Sequence, residues 1–265
     1  MSYMCISNYQ GRLGNHMFQF AWAKAASIEL SYNLSVPGIA CDPDGDVGSL
    51  FPKTHNLRFY KREEYEQFPE KELLTLTDNT SPWITNSCLD FNLIKEKQIK
   101  NIRGIGYYQN YHAFKKHKNV IREYFTLDYN EQGKDTLALH VRLDDFPNEY
   151  RCSSEYYFKC IEQREAKNVL VFTDEVHHPF IELLKQKYSN LSVNMSYDCS
   201  GSNNKQILSY MSSCDEIVMS KSTYSWWAAF LGNAKKVYFP STENEYFSDK
   251  NLFVDDEDRY IKVIS

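Results

Sequence analysis

The sequence has no Cys-x-x-Cys pair, no low-complexity tract and no excess of positive charge. Each absence removes a class of protein. The seven cysteines are scattered and odd in number, which argues against a zinc ribbon or a disulfide framework and for a reducing compartment. No apolar run approaches the roughly 20 residues that a membrane-spanning helix needs. The opening "MSYMCISNYQ" has neither a basic start nor an apolar centre, so no signal peptide is expected and the protein is expected to be cytoplasmic. With 30 basic against 35 acidic residues, an evenly basic surface for coating nucleic acid is excluded. There is no Gly-x-Ser-x-Gly, no His-Glu-x-x-His and no Gly-Lys-Ser/Thr phosphate loop. "DPDGD" at Asp42 to Asp46 has its Gly misplaced for a calcium loop and reads as a turn. His177 and His178 are adjacent, point apart and read as loop residues. No metal site is expected.

What remains is a globular composition, 42% hydrophobic and 25% charged, long enough for one large or two small cores. Tyrosine (20) and phenylalanine (16) are abundant. Such rings suit sugar stacking, although most serve as core. From Thr136 onward, short apolar runs alternate with amphipathic ones. "TLALHV", "NVLVFTD", "LSVNM", "EIVMS" and "KKVYFP" read as strands. "SSEYYFKCIEQREA", "HPFIELLKQKYS", "NKQILSYMSSC" and "STYSWWAAFLG" read as helices, the last capped by Ser222 or Thr223 and ended by Gly232. Such alternation implies a parallel sheet of Rossmann type. The N-terminal half begins alike: strand "YMCIS", loop "NYQGRLG", helix "NHMFQFAWAKAASIEL" with Asn15 as the candidate cap, strand "NLSV". The pattern blurs between Pro37 and Asn101, and a helix is expected over Tyr111 to Phe125. The polar stretch "DYNEQGKD" is the candidate hinge, giving domains 1–130 and 131–265. The expected fold is α/β, two Rossmann-type domains facing each other across a cleft. The cationic run "FKKHKN" from Phe114 reads as the solvated face of a helix, with peripheral membrane contact as the alternative.

In parallel sheets, ligands gather at the carboxyl ends of the strands. Three such ends carry polar chemistry. One holds His140, Arg142 and Asp145, the next Thr173 and Asp174. The third runs from Ser220 to Tyr224 and opens a helix. A helix start offers free N–H groups and partial positive charge, to which Ser222 and Thr223 add hydroxyls. Arg142 can grip a diphosphate through two parallel hydrogen bonds. Alone, each could be an ordinary cap or a surface ion pair; together they argue for a diphosphate ligand. In "GRLGN", Gly11 and Gly14 let the backbone approach a ligand, although a tight turn would also use them.

These stretches resemble the α-1,2-fucosyltransferase family. "GRLGNHMFQFAWAKA" is similar to its opening Gly-Gly-Leu-Gly-Asn-Gln-Met-Phe-Gln-Tyr-Ala, and "GYYQNYHAF" to its Gly-Tyr-Trp/Phe-Gln-Ser. "HVRLDDF" resembles His-Val-Arg-Arg-Gly-Asp-Tyr, and "VFTDE" the strand end Phe-Ser/Thr-Asp-Asp. "SYMSSCDEIVMSKSTYSWWAAFLG" resembles Leu-Met-Ser-x-Cys followed by Asn-Ser-Ser/Thr-Phe-Ser-Trp-Trp-Gly-Ala. The five segments keep the family order from Gly11 to Gly232. The resemblance implies a GT-B fold with an N-terminal acceptor-side domain and a C-terminal GDP-sugar domain. It implies inverting transfer of L-fucose from GDP-fucose to a galactose-like glycan acceptor, without metal or other cofactor. By the same resemblance His140 lies by the guanine, Arg142 grips the β-phosphate and Asp174 reads the guanine edge. Ser222, Thr223 and Tyr224 form the phosphate-binding stretch, and Gly11, Arg12, Gly14 and Asn15 complete the donor site. The acceptor hydroxyl needs a general base, for which Asp145 and Glu149 are the candidates beside Arg142. The chain departs from the family at Leu143, Asp144, His16, Lys221 and Ile207, where the family has Arg, Gly, Gln, Asn and an acidic residue. Those departures put acceptor choice and linkage in question. A different linkage or sugar, or a binding module without turnover, are the alternative readings.

Overall fold

The computed structural model describes residues 2–6, 9–37, 58–60, 73–77, 84–85, 88–125, 127–143, 147–188, 193–198, 204–242 and 247–265. Most of the blurred region, including Asp42 to Asp46, lies outside them. The chain divides into two compact units, Met1–Thr126 and Leu127–Ser265.

The first unit contains β1 (Tyr3–Ile6), α1 (Leu13–Leu30), β2 (Asn33–Pro37), β3 (Arg58–Tyr60), β4 (Leu73–Thr77), β5 (Ile84–Thr85), β6 (Cys88–Leu89), α2 (Phe91–Glu96), β7 (Asn101–Ile105) and α3 (Lys118–Tyr124). Five strands pair in parallel in the order β3-β2-β1-β7-β4. Helix α1 buries Met17, Phe18, Phe20, Ala21, Trp22 and Ala25. Its Trp22 stacks on Tyr108 with centroids 3.6 Å apart. Gly104 in β7 makes room for that stack, since a Cβ there would stand 2.3 Å from Trp22 Cζ3. The helix expected over Tyr111 to Phe125 is interrupted. Two short 3-10 turns, Tyr111–Ala113 and Lys115–His117, precede α3. Phe114 causes the break: it adopts φ −131°, ψ 4° and turns its ring into the core, 5.9 Å from Phe18. The run "FKKHKN" is therefore not one solvated helical face.

The second unit alternates strictly: β8 (Thr136–Val141), α4 (Ser154–Glu162), β9 (Asn168–Thr173), α5 (Pro179–Lys187), β10 (Val193–Asp198), α6 (Asn204–Ser212), β11 (Glu216–Val218), α7 (Thr223–Leu231), β12 (Lys236–Ser241), α8 (Asp249–Leu252) and β13 (Tyr260–Ile264). All neighbours are parallel, in the order β10-β9-β8-β11-β12-β13. Every residue of β8 is buried, as befits a strand covered on both faces. One face carries Leu137, Leu139, Val141 and Leu143 against Tyr156, Tyr157, Cys160, Ile181 and Leu184. Alternation sends His140 to the other. Gly232 ends α7 without a left-handed turn, at φ −78°, ψ 169°. Its lack of a side chain matters for packing: a Cβ would stand 2.2 Å from the Ser212 carbonyl oxygen. Arg259 satisfies the helix end, donating to the carbonyls of Ala229 (3.1 Å), Gly232 (2.7 Å) and Ala234 (3.2 Å).

Candidate functional site

The strand order of the second unit reverses at β8. Strands β9 and β10 lie to one side, β11 to β13 to the other. At such a reversal the connections leave in opposite directions and open a crevice at the strand ends. Residues from three strand ends meet there. Val141 stands opposite Thr173 and Leu139 opposite Val218. The register therefore sets Arg142 beside Asp174 and places the tip of β8 next to the Ser220–Tyr224 turn.

His140 is 3% exposed. Its Nδ1 lies 2.6 Å from Ser220 Oγ. Burial, with the Arg142 charge as a smaller contributor, lowers its pKa from 6.5 to about 3, so the ring is neutral at ordinary pH. Arg142 is half-buried and donates from Nη1 to Ser222 Oγ at 3.3 Å. Asp174 Oδ1 accepts the Leu143 backbone N–H at 2.7 Å, which fixes the chain direction just after Arg142. Ser222, not Thr223, is the N-cap of α7: its Oγ accepts from the Tyr224 backbone N–H at 3.2 Å. Two donors thus share that oxygen, and the Ser222 hydroxyl proton needs an acceptor of its own. Tyr224 packs its ring 6.0 Å from His140. Its hydroxyl donates to the Asn204 carbonyl at 2.5 Å, so its backbone N–H and its phenol are both committed within the protein. Asp145 lies outside the described residues. Glu149 falls in a 3-10 turn, Asn148–Tyr150, with its side chain outside what is described.

In the first unit the order also reverses, between β1 and β7. Gly11, in the loop after β1, has φ +77°, and a Cβ there would stand 2.2 Å from Asn15 Nδ2, so only glycine fits without strain. Asn15 is not the cap of α1. Arg12 takes that position, and its carbonyl accepts from the N–H groups of Asn15 (2.8 Å) and His16 (3.1 Å). Asn15 Oδ1 instead accepts from Gln109 Nε2 at 2.8 Å. Gly11 and Arg12 are exposed, whereas Gly14 is buried in the first turn of the helix. Buried Gln19 anchors the chain at Gln10, bonding both of its backbone groups at 3.0 and 2.8 Å. His16 stands where the family has Gln, and its Nε2 is 2.8 Å from the Gly11 carbonyl.

Ser220 opens the third strand-end stretch but has no role assigned from sequence, and Gln109 and Gln19 are not among the site residues expected there. Ser220 and Gln109 lie inside the quoted stretches, but nothing in their spacing marks them as partners of His140 and Asn15. Among the described residues no group of three His, Cys, Asp or Glu stands together to hold a metal, and no helix is long and apolar enough to cross a membrane. The described cysteines are free thiols. Burial pushes Cys5, Cys160 and Cys214 up to about 12, which leaves them protonated and poor nucleophiles.

Residues 107–261 match the model of glycosyl transferase family 11. The chain is 27% identical to an α-1,2-colitosyltransferase of Escherichia coli, over 86% of this chain and 87% of that protein. Among solved structures, a mutant of Arabidopsis thaliana FUT1 in complex with GDP superposes with a TM-score of 0.61 at 12% identity, covering 92% of this chain and 71% of that one. A NodZ α-1,6-fucosyltransferase soaked with GDP-fucose gives 0.53 at 14% identity, covering 89% and 94%. The fold is thus GT-B-like, built from two parallel α/β units. With the family model spanning more than half of its length, the chain belongs to glycosyl transferase family 11.

Proposed function

We propose that the protein is an inverting transferase that moves L-fucose from GDP-fucose to a hydroxyl of a galactose-like glycan, forming an α-1,2 link. The observation that carries the reading is the Arg142–Ser222 pair at the strand-order reversal. As the acceptor oxygen bonds to the anomeric carbon, the bond from that carbon to the β-phosphate oxygen breaks, and its electron pair leaves with GDP. The leaving group gains negative charge. Arg142, the Ser222 hydroxyl and the partial positive charge at the start of α7, where Thr223 stands, are fixed positive partners for it. His140 and Asp174 take the guanine, Asp174 through the oxygen not bound to Leu143. Tyr224 offers its ring face, since its donors are committed elsewhere. The first unit, within residues 1–130, takes the acceptor side, and Gly11, Arg12, Gly14 and Asn15 are its donor-binding candidates. The acceptor proton goes to Asp145 or Glu149.

A second reading changes the sugar, and the likeness to an α-1,2-colitosyltransferase favours it. The deciding experiment offers a fucose donor and a colitose donor in parallel to a panel of galactosides and follows GDP release. Acceptor-dependent release with GDP-fucose supports the first reading. Release only with the colitose donor supports the second. GDP binding without acceptor-dependent release from either would make the protein a binding module.

A further inference from the structure

We infer that Ser220 is a positioning residue that fixes His140 in its Nε2–H tautomer, so that the imidazole presents a hydrogen-bond donor to an acceptor atom of the donor nucleotide's purine. The inference rests on the reading of this crevice as the nucleotide site. Ser220 is 2% exposed and His140 3%. The 2.6 Å contact between Ser220 Oγ and His140 Nδ1 can run either way. If Nδ1–H donated, the serine hydroxyl proton would be enclosed with no acceptor, because among the described residues Nδ1 is the one acceptor that Ser220 Oγ meets. An enclosed donor without a partner is costly. If the serine donates instead, its proton is satisfied, Nδ1 accepts, and the single proton of the neutral ring sits on Nε2.

The same logic then points outward. Among the described residues Nε2 has no hydrogen-bond partner, so its N–H asks for an acceptor that these residues do not supply. A purine carbonyl or ring nitrogen meets that demand; an exocyclic amine does not. Held this way, His140 has no lone pair facing the ligand. It cannot take the acceptor's proton, and that task stays with a carboxylate.

The test uses full-length protein labelled with 15N-histidine, with the His140 signals among the seven histidines assigned from a His140→Gln sample. The wild-type spectrum is expected to show protonated Nε2 and unprotonated Nδ1. Ser220→Ala is expected to move that signature and to weaken GDP about tenfold, as loss of one well-placed hydrogen bond does. Ser220→Thr, which keeps the hydroxyl, is expected to restore both. A wild-type ring protonated on Nδ1 would overturn the inference, and needs no variant to detect. So would a Ser220→Ala protein with unchanged tautomer or unchanged GDP affinity. A wild-type protein that binds no GDP would remove the nucleotide reading itself. The tautomer spectrum would still report Ser220 separately.

Discussion

Replacing Arg142 with alanine separates the fold from the chemistry. Arg142 follows the last residue of β8 and is half-buried, and its bond to Ser222 is long at 3.3 Å. A long, partly screened hydrogen bond of this kind contributes at most about 1 kcal/mol to stability. The cap of α7 survives its loss, because Ser222 Oγ still accepts from Tyr224 N–H. The effect on transfer is far larger. Donors aimed at developing charge are worth about 2.7–4 kcal/mol, or roughly 10²–10³ in rate. Arg142→Ala is therefore expected to lower kcat/KM for GDP-fucose by at least about a hundredfold while the melting temperature moves by only a few degrees. Arg142→Lys should recover little, since an ammonium cannot replace the two-pronged guanidinium. The assay is acceptor-dependent GDP release, beside a thermal melt of each variant. A lysine variant with near-wild-type rate would remove Arg142 from the diphosphate role. An alanine variant that loses its cooperative melt would show that the residue holds the fold instead.

Transfer is expected to persist in excess EDTA, because Arg142 and the start of α7 supply positive charge to the leaving group; loss of activity in chelator and its return with manganese would refute that. Gly11→Ala forces a side chain into φ +77° and onto Asn15 Nδ2 at 2.2 Å, so it should cost about 1–3 kcal/mol in urea unfolding; an unchanged midpoint would contradict the loop geometry. Gly232→Ala pushes against the Ser212 carbonyl and should destabilise by about 1–3 kcal/mol with GDP affinity per folded molecule intact; a selective loss of GDP binding would place Gly232 in the site. His140 stays neutral when folded down to about pH 3, whereas in the unfolded chain it takes a proton below about 6.5. Its contribution is thus fully present above pH 6.5 and is lost as pH falls toward 3, at up to about 1.4 kcal/mol per pH unit; a His140→Gln protein with the same acid slope would show that other groups set it.

The alternation of the second unit was legible because each strand is a short apolar run and each helix has a polar start. Ser153, His178 and Ser222 are the caps of α4, α5 and α7, and their side chains accept from Tyr156, Phe180 and Tyr224. Only Ser153 and Ser222 announce themselves by residue type; the cap at His178 uses a ring nitrogen that a reading of both histidines as loop residues passes over. The first unit was less legible, since α1 is buried almost all round and lacks a polar stripe or a side-chain cap to mark where it begins. Local pattern could not foresee that Phe114 would leave the helix, because the ring that draws it inward, Phe18, is distant in sequence. The site divides in the same way. Arg142, Asp174 and Ser222 follow from the strand-end rule, but Ser220 becomes visible only when β8 and β11 are adjacent, 80 residues apart in the chain.

The departures from the family pattern gain a physical meaning from where they fall. Leu143 continues the alternation of Leu137, Leu139 and Val141 into the core under α4 and is 6% exposed. An arginine placed there in this chain would bury a guanidinium among tyrosines and aliphatic side chains, with its backbone already held by Asp174. Ile207 is likewise a core residue, 4% exposed within α6. Both replacements exchange charge for packing. Lys221 goes the other way: it is 9% exposed, and its ammonium donates to the Arg151 carbonyl at 3.3 Å, tying the turn before α7 to the segment that leads into α4. Two of the changes thus fall in the core and the third ties down the turn before α7, whereas the Arg142–Ser222 contact and the capped start of α7 remain. In the proposed reaction, charge stabilisation of the diphosphate leaving group is assigned to that contact and that helix start. Under the proposed function, the departures at Leu143, Ile207 and Lys221 therefore leave the cationic partners of the leaving group in place.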